Sequence, residues 1–516
     1  MQEVSQAWIE AQNKTFVPES YVEVTLNVGD PNSQADAAPS DNGQMDFSNS
    51  GALADGTDRT PKRYALLERN LWLLDGSMKI LPDKGPYDNQ GYIGNTLSND
   101  DGVFDGIVPT ITISFSKVFT ELIPGVSITW ATAYGEFAKR YRVTAYANDV
   151  LTFQEEYFNS NGDMTSVANA DIDNYDRIVI EVLEWCLPGR RARIESITIG
   201  IVKTYTRTDL MSFEHENTVD PLSFELPKNE IRFKIKNLNG EYNPDNPQGA
   251  EKYLMERQAV TARYGYKLNG AVEWIKAGTF YMSEWETPQN GIEATFTARD
   301  LLEYMSDLYE GPLDGTLYDI AISALVQADL PKLYDGSDRF VIDNSLRNII
   351  AANNANLSQN SIMEVLQYVS NAGCCVFYQD RNGVLHIEPL ANGHTDYKIN
   401  RFVSYSNSEI SLSKQLKAVN INNGQYVLIV GSVGETQRVN NPLITDDRAP
   451  AVAQWVADYL VNRKILSGSF RSDPRLDALD RVINQNQFAE TVVLVTEVQF
   501  SYNGAFKGNY EGRAKA

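Results

Sequence analysis

The chain has 516 residues, too many for one ordinary domain of about 100 to 200 residues, and a formal charge of -23 from 68 acidic and 45 basic side chains. A hydrophobic share of 42% beside 22% charged residues excludes wholesale disorder, collagen and coiled-coil arrays, and predicts three or four packed domains. The acidic balance repels phosphate backbones, which argues against specific nucleic-acid binding, and the three cysteines, Cys186, Cys374 and Cys375, set no disulfide framework.

No stretch of about 18 uninterrupted apolar residues occurs. Met1 to Asn13 is polar and lacks the basic-then-apolar order of a signal peptide, so the expectation is a soluble chain made in a cytoplasm, without membrane insertion. Val4, Ala7, Trp8 and Ala11 recur at helical spacing, and Tyr21, Val22, Val24, Leu26 and Val28 then switch to strand alternation. Gly29 to Lys62 is rich in Gly, Ser, Asp, Asn and Pro. It exceeds the ~12 to 15 residues of an ordinary structureless loop, and reads as a mobile linker or an arm ordered by a partner. These pieces make a first unit, residues 1–60.

Alternating runs follow at Ile111 to Phe115, Val126 to Trp130, Tyr141 to Ala145, Ile178 to Val182 and Ile197 to Ile201, divided by Gly, Asn and Asp loops. They predict a β-sandwich of jelly-roll type over residues 61–202. A second all-β stretch, residues 203–305, alternates at Ile231 to Ile235, Val260 to Tyr266, Phe280 to Met282 and Ile292 to Phe296. Asn269-Gly270 and Asn290-Gly291 supply hairpin signals there, because both positions tolerate positive φ.

From Arg299 the period becomes helical. Thr297 with Asp300, Thr316 with Asp319 and Ser361 with Glu364 have capping-box spacing, the last ahead of the stripe Ile362, Val365, Leu366 and Val369. A hairpin from Cys374 to Pro389 turns at Asn382-Gly383, so residues 306–400 form a mixed helix and sheet domain. Residues 401–516 return to β grammar at Val419 to Val430 and Val498 to Tyr502, with one helix carrying Val452, Trp455, Val456 and Tyr459. The fold class is therefore mainly β and multidomain (α+β), with two β-barrels flanking a mixed domain and an inserted sandwich.

Chemistry is sparse. Walker, nucleophile-elbow, zinc-helix and dinucleotide signatures are all missing, and His215, His386 and His394 are too scattered for a metal cluster, so no catalytic residue, cofactor or metal is expected. Cys374 and Cys375 lie in an apolar run, where free Cys behaves as a small buried hydrophobe, although His386 across the hairpin could in principle serve as a base. Asp171, Asp173 and Asp176 begin like a calcium loop, yet Asp176 replaces the required Gly and Val182 the required Glu. Glu181 and Glu184 are an imaginable glycosidase pair, but pairs of acids arise by chance among 68. The run Glu184 to Arg193 concentrates Trp185, Arg190, Arg191 and Arg193 in an acidic chain, and arginines in such a run commonly pair with local acids.

From Lys203 onward the order of segments resembles the tail hub, or tail-associated baseplate, proteins of phages and prophages of Gram-positive bacteria. The segments are Ile231 to Pro244, Gly278 to Met282, Thr297 to Asp300, Asp380 to Gly383, Asn441 to Leu443, Asp473 to Asp480 and Tyr502 to Gly508. The resemblance implies a structural virion protein at the tail tip. It implies a homotrimeric hub with two related barrels per subunit, contacting the tail tube or distal tail protein and tip or fibre proteins. Residues 61–202 are similar to galactose-binding-like sandwiches, with Trp130, Tyr134, Trp185, Arg190 and Arg191 matching a carbohydrate-binding face for a host cell-surface glycan. Trp130 alternates with Val126 and Ile128, which favours core over ligand and leaves Tyr134 the better candidate. The alternative is a tail-borne glycosidase acting on wall polysaccharide. The long C-terminal extension that often carries a peptidase in tail-associated proteins is absent after Ala516, so wall cleavage is not expected.

Overall fold

The computed structural model describes all residues except 13, 15–17, 57, 58, 60, 74, 81–87, 247, 248, 289, 290, 313, 332–337, 353–356, 358, 392–396, 406, 407, 515 and 516; His394 and Asn290 lie outside the described residues. The chain is mainly β and multidomain. Among the described residues no helix is long and apolar enough to cross a membrane.

The N-terminal helix Gln6–Gln12 buries Trp8, whose indole meets Tyr266 edge-on at 4.7 Å. The strand Ser20–Val28 then alternates without interruption, Val22, Val24, Leu26 and Val28 all inward. It enters a 13-stranded sheet whose first part runs, in spatial order, Ile201–Tyr205, Ser20–Val28, Ala259–Leu268, Ala271–Glu286, Glu293–Arg299, Lys228–Lys236 and Leu210–Thr218. The two ends of that path are consecutive in the chain, joined only by Thr206 to Asp209. Laid flat, six inter-strand gaps of ~4.8 Å would separate them by about 29 Å, whereas the connection reaches at most about 18 Å. The set must curl, which is the barrel the alternation predicts.

The second set does not stand apart. Leu210–Thr218 pairs with Glu490–Tyr502, from Phe213 opposite Tyr502 to Thr218 opposite Glu497. The sheet continues through Phe506–Ala514, Lys464–Phe470 and Glu409–Leu412, while Arg481–Gln485 flanks Glu490–Tyr502 on its other edge. One core serves both sets, from Val24 and Phe233 to Val495 and Phe500. The two barrels expected from sequence are thus fused edge to edge.

The sandwich leaves the first set at Gly29 and returns at Gly200. A Cβ on Gly29 would lie 2.1 Å from the Ile199 carbonyl oxygen, and one on Gly200 would lie 2.3 Å from that of Val28, so the two crossings touch backbone to backbone. Gly29 to Lys62, expected as a linker or partner-ordered arm, is instead built into the sandwich over its described part. Asp30 caps the helix Pro31–Asp36, and Ala38–Asp41 becomes the edge strand beside Thr110–Phe119. That five-stranded sheet continues through Tyr175–Trp185, Ala138–Ala147 and Val150–Phe158, and shares a core with Ser196–Ile199, Ile123–Thr129 and Thr165–Ile172.

In the mixed domain, Thr316 with Asp319 and Ser361 with Glu364 make reciprocal capping boxes on Leu317–Gln327 and Ile362–Gly373. The Thr297 and Asp300 spacing does not: Thr297 is still in the strand Glu293–Arg299, and Asp300 itself caps the short turn Leu301–Tyr304. The run Val419 to Val430, placed in the second barrel from its alternation, belongs elsewhere. Leu416–Ile421, Tyr426–Ile429 and Glu435–Val439 form a separate sheet against the helix Ala449–Leu460, and Val419 and Val452 share the core of the two capped helices. Alternation identifies a half-buried strand but not the face that buries it.

Two buried titratable groups lie near the seam. His215, in the seam strand, is enclosed between Tyr264 Oη at 2.6 Å and Asn229 Oδ1 at 2.8 Å, and burial holds it at about 4. Burial pushes Asp300 up to about 7, with only Oδ1 engaged, by the Leu302 N–H. The signs are opposite. The depressed His215 contributes stability present above its unfolded pKa of 6.5 and lost as pH falls toward 4; the raised Asp300 contributes stability present below 3.8 and lost as pH rises through 7. Chemical denaturation across pH should show His215→Gln losing less stability than wild type as pH falls from 6.5 to 4, and Asp300→Asn losing less as pH rises from 4 to 7. Gly29→Ala should cost about 2 kcal/mol or more in the same assay through its backbone clash, while Gly106→Ala, with open space around it, should be neutral.

Candidate functional site

The residues singled out for ligand binding do converge, at one end of the sandwich, but the chain's own segment 61–73 covers them. The strand Arg191–Ile194 pairs with Tyr92–Leu97, and the turn before it brings Arg190 alongside. Arg190 Nε lies 3.2 Å from Glu136 Oε1, and its Nη2 donates to the Asn70 carbonyl at 3.1 Å. Arg191 N–H donates to Glu68 Oε2 at 3.0 Å, and its Nη1 to the carbonyls of Gly94 and Asn95. Arg193 pairs with Glu68 through Nη2 and stands 4.3 Å over the Tyr134 ring. Glu136 also accepts from Trp185 Nε1 at 2.9 Å.

Burial decides what this cluster can do. Trp130 and Trp185 are 0% and 1% exposed and meet edge-on at 6.1 Å inside the sandwich, so no indole face is open to a sugar. This corrects the expectation for both: their rings are core, with Trp130 Nε1 satisfied by Ser166 Oγ at 2.7 Å. Arg190 is likewise buried and Arg191 half-buried, and burial lowers the Arg191 pKa from its ordinary value, opposed by Glu68. Tyr134 is half-buried. Burial raises its phenol pKa, with Arg193 acting in the opposite direction, and its hydroxyl accepts the Tyr64 N–H at 2.9 Å.

A buried charge must be paired and hydrogen-bonded to be tolerated. Three arginines here face two carboxylates, and Nη1 of Arg190 with Nε of Arg191 and Arg193 have no hydrogen-bond partner among the described residues. Sequence reading found the arginines and missed Glu68 and Glu136, which have no local pattern and lie 123 and 49 positions from their partners Arg191 and Trp185.

The other candidates resolve locally. His386 stacks on Tyr378 at 4.9 Å between Asp380 and Glu388. Burial pushes the Cys375 thiol up to about 12 and raises Cys374 as well, which removes the thiolate a nucleophile needs. Asp171 binds Lys252 and Tyr253, and Asp176 accepts the Asn148 N–H at 2.6 Å. Among the described residues no group of three or more His, Cys, Asp or Glu is placed to hold a metal. Glu181 pairs with Arg142 at 3.0 Å and Glu184 with Lys139 at 2.6 Å, across a solvated sheet face. A shallow acidic cleft on the second strand set is lined by Glu409, Glu497, Glu511 and Tyr510, and the Glu497 carboxyl is raised by burial and then by Glu511 and Glu216.

No family model matches the chain, and no curated protein matches it. Among solved structures it is similar to the 43 kDa tail protein of prophage MuSo2 from Shewanella oneidensis, at 13% identity and TM-score 0.40 over 60% of this chain and 94% of that one. It is also similar to a tail protein from Neisseria meningitidis MC58, at 11% and 0.44 over 60% and 93%. Prophage tail protein gp18 from Listeria monocytogenes EGD-e follows at 12% and 0.38, over 60% and 91%. None of these likenesses is close enough to carry an assignment, which rests on the chain's own residues.

The cluster's structural role has a direct check. Glu136→Ala should leave Arg190 without a carboxylate and the Trp185 indole without an acceptor in a dry environment and lower stability by about 3 to 5 kcal/mol, read as a shifted denaturation midpoint. Glu184→Ala, on the solvated face, should shift it by less than about 1 kcal/mol.

Proposed function

We propose that the chain is a structural hub protein of a phage or prophage tail, three copies of which close a ring between the tail tube or distal tail protein and the tip or fibre proteins. The observation that carries this reading is the fusion of a curled strand set with a second strand set in one chain through Leu210–Thr218 and Glu490–Tyr502. Two such sets per subunit give a threefold ring six barrel-like units, the number needed to meet a sixfold tube. The order of sequence segments from Lys203 onward supports the same reading.

The sandwich, held on the Gly29 and Gly200 stem, faces outward in this arrangement and carries the contact with a host cell-surface glycan. Glu216, Glu497 and Glu511 concentrate negative charge along the seam, as their mutual effect on the Glu497 carboxyl records. Facing the lumen, they let DNA pass without adhering, since phosphates are repelled there.

Electron cryomicroscopy of the particle that carries the chain should show three copies in one ring at the tail tip. Six copies in a ring, or a single copy, would overturn the hub assignment. Arginines and lysines lining the lumen would overturn the channel assignment.

A further inference from the structure

Segment 61–73 is irregular, lies over the end of the sandwich, and engages the groups a ligand would need. Tyr64 N–H donates to Tyr134 Oη at 2.9 Å, the Asn70 carbonyl accepts from Arg190, and the Glu68 carboxylate takes one oxygen to Arg191 N–H at 3.0 Å and the other to Arg193. The Glu68 side chain is 0% exposed, whereas Leu67 beside it is 85% exposed.

A carboxylate held by two convergent donors of one short strand, with Tyr134 stacked beneath one guanidinium, has the geometry of a bound ligand. Charge points the same way. With Glu68 in place, Arg190, Arg191 and Arg193 face two anions; without it they face Glu136 alone. Donor capacity is also left over, since Nη1 of Arg190 and Nε of Arg191 and Arg193 are buried without hydrogen-bond partners.

We propose that Tyr134, Arg191 and Arg193 form a carboxylate-binding site for an acidic polysaccharide, and that Glu68 is its resident substitute. A uronate-bearing chain displaces Glu68 together with the 61–73 segment. This rests on the reading of the sandwich as a glycan-binding insert, and it names the ligand class and the contact that holds the site closed. Tyr64, Leu66 and Leu71, packed on Phe47 and Ile93, keep the closed form dominant. Trp72 and Leu73 are already exposed and do not oppose movement. A ligand opens the segment only by binding the open form better, so the wild type binds weakly and removal of the internal carboxylate tightens binding.

The experiment uses the full chain with polygalacturonate, dextran and polyphosphate as probes. Glu68→Gln, which keeps the shape and drops the charge, should bind polygalacturonate at least about tenfold tighter than wild type, should not bind dextran, and should return to the wild-type level when Arg193→Ala, which removes the guanidinium that pairs with the carboxylate, is added. In wild type, polygalacturonate should accelerate amide exchange across residues 61–73 and dextran should not, a readout that holds even if the variant fails to fold. Equal affinity of wild type and Glu68→Gln, insensitivity to Arg193→Ala, unchanged exchange, or polyphosphate binding as tightly as polygalacturonate would each overturn the proposal. A glycan that bound both proteins equally would still leave the insert a glycan binder, whereas no binding of any glycan would remove that reading too.

Discussion

A short antiparallel pairing, Phe213 to Thr218 against Tyr502 to Glu497, is the constraint on which the rest of the molecule depends. Without it each strand set would end in a row of unpaired backbone donors and acceptors, an edge open to association with other chains. With it, the aromatic groups of both sets share one interior: Tyr264 meets Phe213, Phe500 and Phe506 edge-on at 5.4 to 5.9 Å. His215 is fully enclosed at the same place and stays neutral because no water reaches it.

The mixed domain is positioned by the same seam, since the chain departs from the first set at Arg299 and rejoins the sheet at Lys398. Arg381 ties the parts together. Its guanidinium binds Asp477 at 2.6 Å and the carbonyls of Lys276 and Leu476, so a turn of the mixed domain is held to both strand sets by one buried cation. Asn371 and Gln379 add hydrogen bonds to the carbonyls of Leu222 and Thr279. These contacts are directional and nearly dry, which fixes an orientation that apolar packing alone would leave loose.

In the sandwich the same physics uses more charge. Three arginines in a chain of charge -23 would be unremarkable on a solvated surface, but here two enclosed carboxylates oblige them to a single arrangement. The chain supplies one of those carboxylates, Glu68, from an irregular covering segment. The two-glycine stem joins this unit to the fused sheet, where Ser127 Oγ also accepts the Val202 N–H, and the contact of Asp171 with Lys252 and Tyr253 is a surface pairing beside it.

Local patterns in the sequence determined a good part of this protein. Alternation at Val22 to Val28, Ile111 to Phe115 and Ile231 to Ile235, the capping boxes at Thr316 and Ser361, and the turn at Asn269-Gly270 all depend on neighbours within a few residues, and each recurs in the structure. Distant partners decided the rest. The pairing of Leu210–Thr218 with Glu490–Tyr502, the transfer of Val419 to the helical core, the incorporation of Gly29 to Lys62 into the sandwich, and the capture of Arg191 and Arg193 by Glu68 join positions that share no local signal. Trp130 and Trp185 show the reason most plainly. A tryptophan on an alternating strand has the same sequence signature on a ligand face and in a core, and only the sheet packed against it removes one of the two from water.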